Sequence, residues 1–295
     1  MSAIRSPRRK RQALMSSVMS GAAAKKLFGN GEEGVLLPIK PEHLYTDSAA
    51  TTLVSAPGDP VGAVTDQSGN GNTAVQATSA DRMIYGRQPV TGVRNLLLNT
   101  DTLATQDVTV TAEQHTISFR GTGSITLSGT GSGTLNGTGA DDVVTLTFTP
   151  TAGTLTVTVS GTVEEGQLET GASRTNYQSV GNQYDVTEQG VRTVHYITPE
   201  TGQSLDVPLT SFTGGTVALG MEDGVYFDES YDFSAGTFVL GDTEYTGGPS
   251  GIITTLGSKI FGFAVINRAL TEAEKTRTAQ YFGALGAGPE LEELP

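Results

Sequence analysis

The sequence predicts an all-β protein with one helix near its C-terminus, and three observations carry that expectation. Its 295 residues include 38 Gly and 12 Pro, only 17% charged residues, and neither Cys nor Trp. That composition suits many short strands joined by tight turns. Two segments, VVTLTFT (143–149) and TLTVTVS (154–160), alternate apolar residues with Thr at the period of two expected of half-buried strands. A capping-box pair, Thr271 with Glu274, opens the one clear helical stretch, LTEAEKTRTAQYF (270–282).

In chain order, the N-terminus reads as a retained basic arm with a short helix over 11–28. Ser16, Ser17 and Ser20 dilute its apolar part too much for a targeting peptide. Residues 1–30 are not expected to order by themselves, because so polar a segment buries little surface alone. Gly29-Asn30-Gly31 marks a hinge. VLLPIKPEHLYTD (35–47) reads as an extended lead-in, since Pro38 and Pro41 oppose helix. The apolar run Val61–Val64 leads into Asp66-Gln67-Ser68-Gly69-Asn70-Gly71-Asn72, a compact turn between two strands.

Residues 93–180 read as a separate all-β unit. In GTGSITLSGTGSGTLNGTG (121–139), Thr122, Thr126, Thr130, Thr134 and Thr138 share one face, with Ile125, Leu127 and Leu135 on the other. This favours short strands with Gly turns. Pro150–Gly153 reads as the hairpin turn between the two alternating strands. Further strands follow at SLDVPL (204–209), GTVALGM (215–221), TFVLGD (237–242) and KIFGFAVI (259–266). The helix is expected to pack through Ala273, Thr276, Ala279 and Phe282, and the tail, 287–295, to fray.

Charge separates the chain into two parts. The first 30 residues hold Arg5, Arg8, Arg9, Lys10, Arg11, Lys25 and Lys26 and no acid; the rest holds 11 basic and 31 acidic residues, a net of −20. An acidic body argues against nucleic-acid binding, which needs clustered Lys and Arg. No apolar run approaches the ~18 residues needed to span a bilayer, so no membrane insertion is expected. The lack of Cys excludes disulfides, thiolate metal sites and Cys nucleophiles.

His43, His115 and His195 lack metal-ligand spacing, and no nucleophile elbow is present. Asp141-Asp142, Glu164-Glu165, Glu222-Asp223 and Asp228-Glu229 are pairs of the kind glycosidases use, but in so acidic a chain they read as solvated loop carboxylates. GNGEEG and GTGSG precede no helix with a Lys, which disfavours phosphate cradles. Asp66, Asn70 and Asn72 offer hard oxygens within one turn, the set a calcium ion prefers. The same residues also build turns by bonding their own backbone. No other cofactor is expected.

Four stretches resemble phage virion structural proteins with a concanavalin/laminin-G-like lectin domain. LYTDS…RMIY (44–85), with its D-x-S-G-x-G-N turn at Asp66–Asn72, is similar to the first half of that domain. GVRNLLLNTD…ITLSG (92–129) resembles a carbohydrate-module-like sandwich inserted in tail proteins. Its ending is similar to Gln167-Leu168-Glu169-Thr170-Gly171 followed by Tyr177. KIFGFAVINRALTEAEKTRTAQYF (259–282) resembles the closing strand and helix. The Asp-Gly-x-Asp-Asp signature that usually follows YDVTEQG is replaced by VRTVHYITPETGQSLDVPL.

The resemblance implies two β-sandwich, jelly-roll/lectin-like units, one inserted in the other. The parts are a basic anchoring arm (1–35), a first lectin-like half (36–92), the insert (93–182), a second half with the closing helix (183–286) and a tail (287–295). It implies a homotrimeric tail fibre or spike subunit on the virion exterior, joined to other virion proteins through Arg5, Arg8, Arg9, Lys10 and Arg11. A host-surface polysaccharide would stack on Tyr85, Tyr226, Tyr231 and Tyr245, because Trp, the better sugar platform, is absent. The alternatives are a head fibre or decoration protein on the capsid and a glycan-degrading tailspike-type enzyme.

Overall fold

The computed structural model describes residues 25–209, 214–229, 237–241 and 257–288. Within them the chain is an all-β sandwich protein with one C-terminal α-helix. It divides into two compact units, Met1–Gly86 with His195–Pro295, and Arg87–Val194. The strands begin with β1 (Gly34–Pro38), β2 (Leu44–Tyr45), β3 (Pro60–Val61), β4 (Ala63–Val64), β5 (Ala74–Val75) and β6 (Met83–Pro89). Next come β7 (Gln106–Val110), β8 (His115–Gly121), β9 (Ser124–Gly129), β10 (Gly133–Asn136), β11 (Gly139–Phe148), β12 (Gly153–Ser160), β13 (Glu164–Thr170), β14 (Gln178–Asn182) and β15 (Asp185–Glu188). The last are β16 (Thr193–Thr198), β17 (Ser204–Pro208), β18 (Thr216–Met221), β19 (Val225–Asp228), β20 (Thr237–Gly241) and β21 (Ile260–Ile266), ahead of helix α1 (Glu272–Leu285).

In the first unit, β21 lies between β1 and β18, with Leu37↔Phe263 and Leu219↔Phe263 in register. A second sheet has the order β2-β4-β5-β17-β20. Apolar side chains from both sheets make one core, including Val35, Leu37, Val64, Leu205, Val207, Val217, Leu219 and Val265. Phe238 of β20 and Phe263 of β21 meet there with ring centroids 5.1 Å apart.

Every residue of β1, β18 and β21 is buried, unlike an alternating surface strand. The reason is α1, which covers the other side of the sheet. It turns Lys275, Thr278, Ala279, Tyr281, Phe282 and Leu285 inward. This face is rotated from the one the sequence suggests, since Ala273 and Thr276 point to solvent. Lys275 lays its stem in the interface and sends its ammonium to Glu229 at 3.2 Å, as long cationic side chains do.

The body starts earlier than the sequence reading allows. Lys25–Phe28 form a 3-10 turn with Leu27 and Phe28 buried, and residues 34–38 are a sheet strand rather than part of a free arm or a lead-in. The expected helix over 11–28 is therefore a 3-10 turn over its last four residues, and 11–24 lie outside the described residues.

In the second unit, one sheet has the order β10-β9-β12-β7 and the other β11-β8-β13. Phe119, Ile117, Ile125, Leu127, Leu155, Val157 and Leu168 fill the space between them. Thr126, Thr134 and Thr158 stand side by side on the exposed face. The expected hairpin at Pro150–Gly153 is not one. β11 pairs with β8, whereas β12 pairs with β9 and β7, so this turn carries the chain from one sheet to the other. Alternation shows that each strand has one apolar face, and two such faces meet equally well across a sandwich. β14 and β15 form a hairpin across the boundary expected at 182/183, which places both strands in the second unit.

Candidate functional site

The turn at Asp66–Asn72 does bring its three sequence-selected residues together, around the free edge of β1. Asp66 Oδ1 accepts the amides of Leu36 (2.9 Å) and Ser68 (2.8 Å), and Oδ2 accepts Ser68 Oγ (2.7 Å) and the Asn72 amide (3.0 Å). These four donors fill the carboxylate's four acceptor positions. Asn70 and Asn72 aim their amide nitrogens, not their oxygens, at the Gly34 carbonyl, at 3.1 and 2.8 Å. The Gln67 amide reaches the Leu36 carbonyl at 2.8 Å. The turn thus imitates a neighbouring strand and caps the edge of β1. This arrangement favours the turn-building alternative over calcium, because a cation there would have to displace donors that hold the fold.

The selected tyrosines divide. Tyr85 is 4% exposed in β6, not on a loop. Its hydroxyl meets His195 Nδ1 at 2.8 Å and the two rings stack, so Tyr85 is a packing residue and not a sugar platform. Tyr226 of β19 is half-buried, with its ring against the core of the first unit. Its hydroxyl donates to Asp223 Oδ2 at 2.6 Å, and that bond, with burial, pushes the phenol up to about 12. Tyr231 and Tyr245 lie outside the described residues, as do Arg5, Arg8, Arg9, Lys10 and Arg11.

Several of the other titratable candidates are engaged in holding the fold. His115 is buried, with Nδ1 2.8 Å from the Glu113 carbonyl and its ring tilted on Phe148. Glu165 pairs with Arg120 (2.7 Å), Glu222 with Lys259 (3.1 Å) and Glu229 with Lys275 (3.2 Å). Carboxylates also tie turns. Asp47 accepts the amides of Ala49, Thr51 and Thr52, and Asp59 accepts those of Ser55 and Ala56. Among the described residues, no group of three or more His, Asp or Glu is arranged to hold a metal ion.

One surface cluster escaped the sequence reading, which gave Tyr177 only as the end of a motif. Tyr177 OH donates to Asp101 Oδ1 (2.8 Å) and lies 2.7 Å from Thr100 Oγ1, while Ser179 Oγ donates to the same Asp101 oxygen (2.7 Å). Thr100 is fully buried and accepts the Val180 amide at 2.9 Å, which fixes the group. Burial, with the bond to Asp101, raises the Tyr177 phenol above its ordinary range. Asp101 and Ser179 lie 78 residues apart and meet through the fold, so no local motif joins them.

No helix among the described residues is long and apolar enough to cross a membrane. Compared with protein-family models, curated proteins and solved structures, the chain matches none.

Proposed function

We propose that this chain is a structural protein of a phage particle, a tail fibre or spike subunit. Its basic N-terminal arm attaches it to other virion proteins, and its β-sandwich units face outward. On this reading the subunit is a homotrimer without catalytic activity, and Tyr226 with Asp223 touches host-surface saccharide. The observation that carries the reading is the use made of the acidic side chains. Asp47, Asp59 and Asp66 tie turns, and Glu165, Glu222 and Glu229 pair with cations. A glycosidase instead needs two carboxylates facing one another across a bond to be cut. Trimerisation suits a body without Cys or Trp, because a threefold contact buries apolar surface that each subunit's own core lacks.

Deletion of residues 1–24 tests the attachment. The cut falls before Leu27 and Phe28, which pack on the body. The truncated protein is expected to keep its fold and to be missing from assembled particles. Normal incorporation would overturn the anchoring role.

A further inference from the structure

The Asp101 cluster has a direction. Tyr177 has a single hydroxyl proton and gives it to Asp101, so Thr100 must donate to the tyrosine oxygen. Ser179 also gives its proton to Asp101 Oδ1. Two hydroxyls thus orient one carboxylate oxygen, and the second, Oδ2, has no hydrogen-bond partner among the described residues. Asp101 is exposed, and no Lys or Arg pairs with it in the described structure. Asp107 and Glu169 of this unit likewise accept neutral donors only, whereas three other carboxylates are paired with cations. Asp185, Glu188 and Glu165 meet Arg87, Arg94 and Arg120. The turn before Asp101 is held at Asn99 with φ 51, a left-handed conformation that Asn tolerates better than most residues.

We propose that Asp101, framed by Tyr177 and Ser179, is a saccharide subsite that binds hydroxyl groups of a neutral or amino-bearing sugar through its free oxygen. The chemistry follows from proton bookkeeping. With both hydroxyl protons committed to Asp101, the cluster offers acceptors outward, and its complement is a ligand rich in donors. Vicinal hydroxyls of a pyranose meet that need through charge-assisted hydrogen bonds, and an ammonium on the sugar strengthens the contact by adding an ion pair with the carboxylate. A uronic acid is rejected by like charge. The half-buried Tyr177 ring supplies an apolar surface for the sugar's C–H face. The subsite rests on the glycan-contacting reading above, but it lies on the other unit from Tyr226.

Saturation-transfer NMR on the full-length chain tests it. The probes are neutral trimers of glucose, mannose and galactose, a glucosamine trimer and a galacturonic acid trimer. Binding of at least one neutral or amino trimer and none of galacturonate is expected. Asp101→Asn, which turns the outward acceptor into a donor, should weaken that binding at least tenfold; Tyr177→Phe should weaken it less. Asp206→Asn, an exposed carboxylate elsewhere, is the control, and thermal melts check that each variant is folded. Undiminished binding by Asp101→Asn with loss in Tyr226→Ala overturns the subsite and leaves saccharide contact standing. Failure of the wild type to bind any trimer overturns both. Preference for galacturonate, or binding of a Lys/Arg-rich peptide in place of the sugars, also overturns the subsite.

Discussion

Four donors converge on the Asp66 carboxylate, and one of them, the Leu36 amide, belongs to a strand whose side chain is 1% exposed. Asp66→Ala leaves that amide unmatched and frees the edge of β1. Hydrogen bonds to a charged group contribute about 1.5–3 kcal/mol each, so a loss near 3 kcal/mol is expected in urea unfolding. Millimolar calcium should leave the wild-type melting temperature unchanged; a rise reversed by chelation would restore the metal reading. The sequence made this turn visible, because Asp, Asn and Gly at such spacing require one. It could not reveal that the Asn nitrogens face Gly34, since that depends on a strand more than 30 residues away. The same limit hid Asp101, and it let Tyr85 pass for a loop residue although its partner is His195.

At the scale of elements, the junction of helix and sheet rests on two glycines. Gly220 of β18 and Gly262 of β21 are register partners, and fully buried Phe282 of α1 sits over both. A Cβ at Gly262 would come 2.5 Å from the Phe282 ring, and one at Gly220 2.8 Å from its Cβ. Gly262→Ala is therefore expected to cost about 1–3 kcal/mol through overpacking. Phe282→Ala should cost about 3–5 kcal/mol. Because both changes act on one contact, the double variant should lose less than their sum, which chemical denaturation of the four proteins measures. The helix itself was legible from its start. The Thr271 amide and hydroxyl both donate to Glu274, at 2.9 and 2.8 Å, and Arg268 holds that carboxylate from the other side. Its inward face was less legible, because Lys275 and Thr278 do not read as apolar yet are buried. Strand positions followed from alternation, but the partners of β11 and β12 did not, since period two fixes a face and not a neighbour.

For the molecule as a whole, the acidic composition predicts a dependence on pH with a definite sign. The Arg268 guanidinium, with lesser help from Thr271, holds Glu274 at about 2, and the Asn30 amide lowers Glu32. At Asp47, Asp59 and Glu188 burial pushes the carboxyl up, but hydrogen bonds from neighbouring amides and side chains outweigh it and lower each below its ordinary value. A depressed carboxyl stabilises the fold fully above its unfolded value, near 4, and loses that contribution as pH falls toward its folded value. His43, lowered by burial, adds an earlier loss below 6.5 because the unfolded chain takes its proton first. Melting temperature should therefore fall gently below pH 6.5 and steeply from about pH 4 toward 2; constant stability down to pH 3 would contradict these assignments. Such clips and pairs hold the turns and strands of the fold, and a place in a virion is the role proposed for it. A cryo-electron microscopy map of the intact phage particle tests it most directly. Threefold copies of the β-sandwich units are expected on the tail exterior, joined to the particle through the segment before Lys25; a particle with no density for the chain would contradict the proposed role.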